Sequence, residues 1–328
     1  YIVGGSVRNV YGGGWKGSVG KHRKLVNGVE ADADIHESAD NDILGETHVI
    51  IGIRQDQKAA NRINAIKAVL GADTDQTVLD YNCGVPAVQR NAYGGGEGGA
   101  VYGKTNLTLN NGYIGYEYNT TRGKFEEKLN DETYYENEKY AGDNRLRDCG
   151  NVFGGGYDAR SSVDESNVEM YGGIVRGSIH GGGEIATIGR GSTKESDVAN
   201  SKREFEAIYK RGKTRIEMFN GHVKRNVFGG GKGYNLLGYG SNSDLYTDGY
   251  TFGQTEVHIH GGQVGTEEGM DEGYGNVFGG GDLGYVYSYG YNSSKTKYDK
   301  KAGITTSSPG HYYYYDSDGN LTEDCKVV

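Results

Sequence analysis

The sequence predicts an all-β fold, a right-handed parallel β-helix, and three observations support this prediction. A glycine-rich phrase recurs six times, an alternating polar and apolar segment precedes it, and extra residues of variable length separate the units. The chain has 328 residues, of which 58 are Gly, 28 are Tyr and 2 are Pro. Glycine at this frequency without a three-residue period excludes collagen. We expect residues 1–328 to form a single repeat array that is a segment of a longer chain.

The recurring phrase is an Asn, an aliphatic residue and an aromatic residue, followed by three glycines. The triplets begin at Gly12, Gly94, Gly154, Gly181, Gly229 and Gly279. One unit departs from the phrase, because Ser178 and His180 stand where Asn and the aromatic ring are expected. Since His180 aligns with Phe153 and Phe228, we expect it to be a packed ring. We also expect the six triplets to lie in one file, with neighbours about one strand spacing of 4.8 Å apart.

The alternating segment ends in a Gly-Gly or Asn-Gly pair. It covers residues 106–112, 167–173, 215–221 and 256–262. Alternation over five residues indicates a strand with one buried face, and the glycine pair supplies the positive φ of a sharp turn. Each unit is therefore predicted to contain a strand, a turn, a short run and a second strand. Such a unit is too short to bury its own apolar face, which favours a stack with a continuous core. The right hand follows from the general preference of parallel crossovers.

The residues between the units are predicted to form insertions on one side of the stack, because the excess always follows the glycine triplet. The insertions cover residues 54–90, 116–150, 190–212, 232–252 and 282–315. Apolar residues at helical spacing predict a helix between Asp56 and Gly71, and a weaker one between Ser196 and Gly212. The insertions at 232–252 and 282–315 are instead rich in Tyr, Gly, Asn and Ser.

A six-bladed propeller is the alternative fold, because strands that end in Gly-Gly also resemble kelch repeats. Two observations argue against it. The shortest spacing between triplets, from Gly154 to Gly181, is too small for a four-stranded blade, and Trp15 is the only Trp of the chain. A ring arrangement of the triplets would decide for the propeller.

Charge and cysteine content exclude several classes of protein. Lys and Arg number 35 against 44 Asp and Glu, so no basic surface for nucleic acid is expected. Charges occur in every stretch, so no membrane span is expected. Cys83, Cys149 and Cys325 form no Cys-x-x-Cys pair and leave both the pairing and the compartment open.

The pairing of the alternating strand with Asn-Val-Phe/Tyr-Gly-Gly-Gly resembles the very large glycine-rich repeat surface proteins of Gram-negative anaerobes. This resemblance covers all six units and implies an exported, extracellular, adhesin-like or fibre-like β-helix at the cell surface. It implies no catalytic residue and no cofactor. We therefore predict a structural and adhesive scaffold that binds a glycan or a host or cell-surface protein. Because both ends fall inside strand patterns, we expect the native molecule either to continue past both ends or to stack end to end with its own copies.

The candidate ligand-binding residues are four alternating tyrosines, Tyr285, Tyr287, Tyr289 and Tyr291. On a strand all four rings would lie on one face. A row of flat, amphipathic rings suits stacking on sugars or contact with another protein. The alternative, which we weigh equally, is an aromatic ladder packed beneath another insertion.

A glycan-binding module is one alternative hypothesis. An enzymatic function is the other, because the basic fragment around His222 resembles sites of β-helical polysaccharide lyases and hydrolases. Glycosidic cleavage by that route needs two converging carboxylates, and the neighbouring repeat positions offer none. The sequence therefore favours a non-enzymatic protein. His258 and His260 share one face of a strand and could bind a metal, but no third ligand lies nearby in the sequence. We expect an exposed polar face there and predict no metal site.

Overall fold

The computed structural model describes most of the repeat array. The described residues are 1–31, 41–54, 71, 85–127, 150–197, 202–233, 249–266, 274–282, 284–287, 313–315, 321–323 and 325–327, and side chains are omitted for 192–209 and from 313 onward. These residues form strands, turns and bends, with no helix among them. The chain is therefore all-β over the described ranges. Cys83, Cys149 and the predicted helix that starts at Asp56 lie outside them.

The largest sheet, here called the long sheet, is parallel throughout. Its strands in spatial order are Gly45–Ile51, Val101–Leu109, Val163–Met170, Gly212–Met218 and Thr251–Ile259, followed by Val286–Tyr287 and Cys325–Val327, which both pair with Thr251–Ile259. Four of these strands, Val101–Leu109, Val163–Met170, Gly212–Met218 and Thr251–Ile259, contain the alternating segments of the sequence. Their inner residues are buried and their outer residues are partly exposed, as the period of two predicts.

Two further parallel sheets are built from two-residue strands. The post-turn sheet contains Ser6–Val7, Ala87–Val88, Tyr113–Ile114, Ile174–Val175, His222–Val223 and Gln263–Val264. The pre-glycine sheet contains Val10–Tyr11, Ala92–Tyr93, Val152–Phe153, Ile179–His180, Val227–Phe228 and Val277–Phe278. The chain passes from the long sheet to the post-turn sheet, then to the pre-glycine sheet, and repeats this order. The turn between the first two uses glycines with positive φ, such as Gly173 at +89° and Gly221 at +107°.

The core lies between the three sheets and consists of columns of apolar side chains. Leu107, Val168, Ile216 and Val257 follow one another in register in the long sheet and are all buried. Short strands of the other two sheets contribute Val, Ile and Ala to the same core cluster. Full burial of such a side chain is worth about 1.5–3 kcal/mol, so the stack supplies the core that a single unit lacks.

The glycine triplets lie in one file, as the sequence predicts. The amide of Gly94 donates to the carbonyl of Phe153 at 2.9 Å, and that of Gly154 donates to His180 at 2.8 Å. A Cβ on Gly154 would lie 2.3 Å from the carbonyl oxygen of Gly181, closer than any contact a side chain tolerates. The triplet therefore needs glycine because neighbouring backbones approach each other there. The propeller alternative is wrong, because its blades would be antiparallel sheets around a ring, whereas the three main sheets here are parallel.

Hydroxyl groups bind the glycine file to the long sheet. Buried Thr or Ser side chains donate to the carbonyl of the first glycine of a neighbouring triplet at 2.5–2.7 Å. The pairs are Thr47 with Gly94, Thr105 with Gly154, Ser166 with Gly181, Thr214 with Gly229 and Thr255 with Gly279. Each of these Thr and Ser residues appears in the sequence only as one polar residue of an alternating pattern, so the pattern alone does not predict this ladder.

The Asn and the aromatic residue of the phrase each form a ladder as well. The Asn91 side chain accepts from the Asn151 amide at 2.9 Å, and Asn151 accepts from the Ser178 amide at 2.8 Å. Six stacked rings follow one another with centroids 4.8–5.0 Å apart. They belong to Tyr11, Tyr93, Phe153, His180, Phe228 and Phe278. The prediction that His180 is a packed ring is confirmed.

Two predictions about the insertions are wrong. Instead of a helix over Ser196 to Gly212, the strands Arg190–Asp197 and Lys202–Lys210 form an antiparallel hairpin. The second strand continues almost directly into the long-sheet strand Gly212–Met218, which favours an extended backbone over a helix. In its sequence, Phe205, Ala207 and Tyr209 stand at every second position, which is the period of a strand.

The insertions also leave the unit at different corners. Residues 54–90 begin after the long-sheet strand and include the post-turn strand Ala87–Val88, whereas 116–150 precede Val152–Phe153. Spacing between triplets measures only the total excess and cannot tell which corner it leaves. Three other antiparallel pairs are Lys24–Val26 with Val29–Ala31, Tyr116–Asn119 with Lys124–Glu127 and Tyr313–Tyr315 with Leu321–Glu323.

Candidate functional site

The predicted tyrosine row is described at two of its four positions. The Tyr285 and Tyr287 rings lie side by side, with centroids 6.0 Å apart. Tyr285 is 49% exposed, whereas Tyr287 is 8% exposed and packs with Tyr250 and Phe252. Tyr289 and Tyr291 lie outside the described residues. One ring of the described pair is therefore accessible, and the other belongs to a small aromatic core.

A different aromatic row lies on the outer side of the long sheet, where each strand reaches its turn. The rings of Tyr171, Phe219 and His260 stack with centroids 4.7 and 4.8 Å apart and planes within 7° of parallel. Backbone bonds hold this register, since the amides of Phe219 and His260 each donate to the carbonyl of a long-sheet methionine at 2.8 Å. Phe219 is 39% exposed. The guanidinium of Arg54 lies 3.4 Å from the centroid of the Tyr171 ring and extends the row.

A row of polar side chains runs beside these rings. Glu169, Glu217 and His258 are in register on three neighbouring strands. Glu217 accepts from His260 Nε2 at 2.5 Å and from Arg215 Nε at 2.8 Å. Partial burial would raise the pKa of Glu217, but these hydrogen bonds outweigh it and hold the pKa below its usual range. Glu217 is therefore an ionised acceptor at neutral pH.

We call these two rows together the exposed strip, which comprises Arg54, Glu169, Tyr171, Arg215, Glu217, Phe219, His258 and His260; of these, Glu217 is buried and the others are partly or fully exposed. It presents a flat aromatic surface next to hydrogen-bond donors and acceptors. That combination suits stacking on the apolar face of a sugar ring while the polar row binds its hydroxyls, and it also suits an aromatic side chain of a protein. The rings of His258 and His260 lie 6.2 Å apart on one face, as the sequence predicts.

The aromatic row has a recognisable signal in the sequence, although it is absent from the predictions above. Tyr171, Phe219 and His260 each stand directly before the glycine-containing pair that ends the alternating segment. The same position in another unit is Asn110. A position that is aromatic in three successive units and solvent-facing by the strand period predicts an external ladder.

The environment of His222 contains no carboxylate at the neighbouring register positions, which are Ile174 and Gln263. Its Nε2 lies 2.7 Å from the carbonyl oxygen of Gly265, a contact that fixes the ring by the backbone. The nearby basic residues Arg176 and Lys224 instead both contact Glu127. Glu127 ends the antiparallel pair of Tyr116–Asn119 with Lys124–Glu127.

Comparison with known proteins adds no relative. No protein-family model, curated protein or solved structure matches this chain at a significant level. Within the ranges given above, no helix is long and apolar enough to cross a membrane. In the same ranges no three His, Cys, Asp or Glu side chains converge on a point where a metal ion could be held.

Proposed function

We propose that this chain is a non-enzymatic structural and adhesive protein of the cell surface, built as a right-handed parallel β-helix that displays its insertions. The repeated path through three parallel sheets supports the β-helix. The right hand rests on the general preference of parallel crossovers. The resemblance to glycine-rich surface proteins supports the extracellular location.

The observation that carries this proposal is the continuity of the ladders between units. The same backbone, hydroxyl, Asn and ring contacts recur from one unit to the next, including the unit in which Ser178 and His180 replace the usual residues. Each unit contacts its neighbours through all three sheets. Such a continuous stack suits a spacer that holds its insertions away from a surface.

The cell-surface part of the proposal is tested by antibody labelling of intact cells of the source organism. We expect an antibody against the 328-residue chain to label intact cells as strongly as permeabilised ones. Labelling only after permeabilisation would contradict an extracellular scaffold. An antibody against a cytoplasmic protein is the control for intact cells.

The non-enzymatic part is tested with purified protein and a panel of acidic and neutral polysaccharides. We expect no new reducing ends and no unsaturated products. Should turnover be seen, His222→Ala is compared with Gln263→Ala, because Gln263 occupies the same register position in the next unit. Turnover abolished only by His222→Ala would overturn the scaffold proposal in favour of a lyase or hydrolase.

Glycan binding is a second candidate function, and the exposed strip is the observation that favours it. Phe219 is its central, accessible ring. We expect the protein to be retarded in native gels that contain a polysaccharide to which it binds, and we expect Phe219→Ala to lose this retardation. Trp15→Ala is the matched control, because Trp15 is an exposed aromatic residue, 75% accessible, elsewhere on the chain. Equal retardation of both variants would remove the strip from consideration.

A further inference from the structure

A β-bulge places one carboxylate of the long sheet in an unusual position. Val163 pairs with Val101 and Glu165 with Lys104, so Asp164 alone faces the two residues Tyr102 and Gly103. Bulges redirect side chains, and Asp164 is only 3% exposed although it lies next to the exposed Glu165.

Two glycines beside the bulge leave room for a cavity. Gly45 and Gly103 are register partners, and a Cβ on Gly103 would lie 2.1 Å from the carbonyl oxygen of Gly45. With no side chain at either position, a cavity of about 370 Å³ opens over their backbone, and Asp164 lines it. This volume lies near the lower end of the range for small-molecule sites, roughly 300–1,000 Å³.

The cavity wall carries groups of both charges. Glu46, Lys104 and Glu165 stand side by side on three neighbouring strands, and Lys210 completes this part of the wall. Together with Asp164 the wall therefore holds three carboxyl groups and two ammonium groups. This mixture disfavours a ligand with a strong net charge of either sign and favours a neutral ligand that both donates and accepts hydrogen bonds.

A buried ionic cluster beneath the cavity leaves Asp164 only partly satisfied. The Arg190 guanidinium contacts Asp42 through one terminal nitrogen, and its Nε lies 3.3 Å from Asp164 Oδ1. Asp42 also accepts from His22 Nδ1 at 2.5 Å, so both of its oxygens are bound. Oδ2 of Asp164 has no hydrogen-bond partner within the described part of the chain.

Burial raises the pKa of the Asp164 carboxyl, and the nearby positive charges of Arg190 and Lys210 offset this only in part. The Arg190 guanidinium contacts two aspartates, and its contact with Asp42 is shorter than its contact with Asp164. A buried oxygen without a partner destabilises the folded chain, and a hydrogen bond from a ligand hydroxyl to the Asp164 carboxyl would offset this. A hydroxyl can donate to the carboxylate or accept from the carboxylic acid, so it fits Asp164 in either protonation state.

We propose that this cavity binds one neutral sugar ring, with the buried Asp164 carboxyl as the anchor and Glu46, Lys104, Glu165 and Lys210 as partners for its other hydroxyls. This site is independent of the scaffold function and of the exposed strip. Asp164 and Tyr171 are seven residues apart in sequence, which corresponds to about 23 Å along extended backbone.

The test is saturation-transfer NMR on the full 328-residue chain with the methyl glycosides of glucose, galactose and mannose, and with galacturonate as a charged probe. We expect at least one neutral glycoside to bind, and Asp164→Ala and Glu165→Ala to weaken its binding at least tenfold. Glu165 is exposed, so Glu165→Ala keeps the test valid if Asp164→Ala fails to fold. Trp15→Ala is the control, because Trp15 is exposed and belongs neither to the cavity wall nor to the exposed strip, and it should leave this binding unchanged.

The following outcomes would overturn the proposal. They are binding of none of the neutral glycosides, binding of galacturonate alone, and neutral-glycoside binding that survives Glu165→Ala at wild-type strength. Loss with Phe219→Ala and not with Glu165→Ala would assign the signal to the exposed strip and thereby reject the cavity.

Discussion

Thr105 joins two neighbouring units through one hydroxyl group, and this contact shows what a single residue contributes to the stack. Its Oγ1 donates to the carbonyl of Gly154 at 2.6 Å, and both groups are buried. The carbonyl has no access to water that could replace the bond. The hydroxyl is therefore part of the repeat, although Thr appears in the sequence only as one polar residue in an alternating strand.

We expect Thr105→Val to lower the free energy of unfolding by about 1–3 kcal/mol, because valine keeps the shape of threonine and leaves the Gly154 carbonyl without a donor. Urea denaturation followed by circular dichroism measures this change. Thr108→Val on the same strand is the control, since Thr108 lies on the outer face and is partly exposed. Equal stability of the two variants would show that the hydroxyl ladder contributes nothing.

At the scale of elements, the strands and turns could be predicted from the sequence, and several other features could not. The alternation over 167–173 and the glycine pairs determine strand, turn and buried face by local rules. The hairpin over Arg190–Asp197 and Lys202–Lys210 was missed because its sequence is mostly charged and its pairing depends on the strand that follows. The exposed strip and the Asp164 cavity depend on which residues become neighbours across strands. The register of the strands decides this, and it cannot be predicted from any one segment of the sequence.

The aromatic ladder is the element in which an exception to the repeat has a measurable effect. His180 is buried between Phe153 and Phe228, and its Nδ1 has no hydrogen-bond partner among the residues that the structure describes. Burial, assisted by the positive charge of Lys232, lowers the pKa of His180 well below its usual range. The unfolded chain therefore binds a proton that the folded chain rejects, once the pH falls below the unfolded pKa of about 6.5.

We expect His180→Phe to stabilise the protein, and to do so increasingly as the pH falls from 7 to 5. Below the unfolded pKa, the wild type loses up to about 1.4 kcal/mol for each pH unit through this one group, and phenylalanine removes that loss. Melting temperatures of both proteins at pH 7, 6 and 5 measure the difference. His48→Phe, at an exposed histidine, is the control. A constant difference between wild type and His180→Phe across this range would contradict a buried neutral imidazole.

On the scale of the whole molecule, the three parallel sheets connect each unit only to the units before and after it. The free energy of unfolding of such a stack is a sum of unit terms and nearest-neighbour terms. A destabilising substitution should therefore affect the adjacent strands most and distant strands least. Ile216 is fully buried in the strand Gly212–Met218, which has paired strands on both sides. Ile216 is therefore a suitable position for such a substitution.

We expect Ile216→Ala to accelerate amide hydrogen exchange most in Gly212–Met218 and in its two partners, Val163–Met170 and Thr251–Ile259. A core truncation of this kind costs about 2–5 kcal/mol, so exchange in these strands should rise on the order of 30-fold or more. Gly45–Ile51, separated from the mutated strand by two others, should change least. Lys213→Ala, at an outward-facing residue of the mutated strand, is the control. An equal rise in the five longest strands of the long sheet would mean that the array opens as one cooperative unit, contrary to nearest-neighbour coupling.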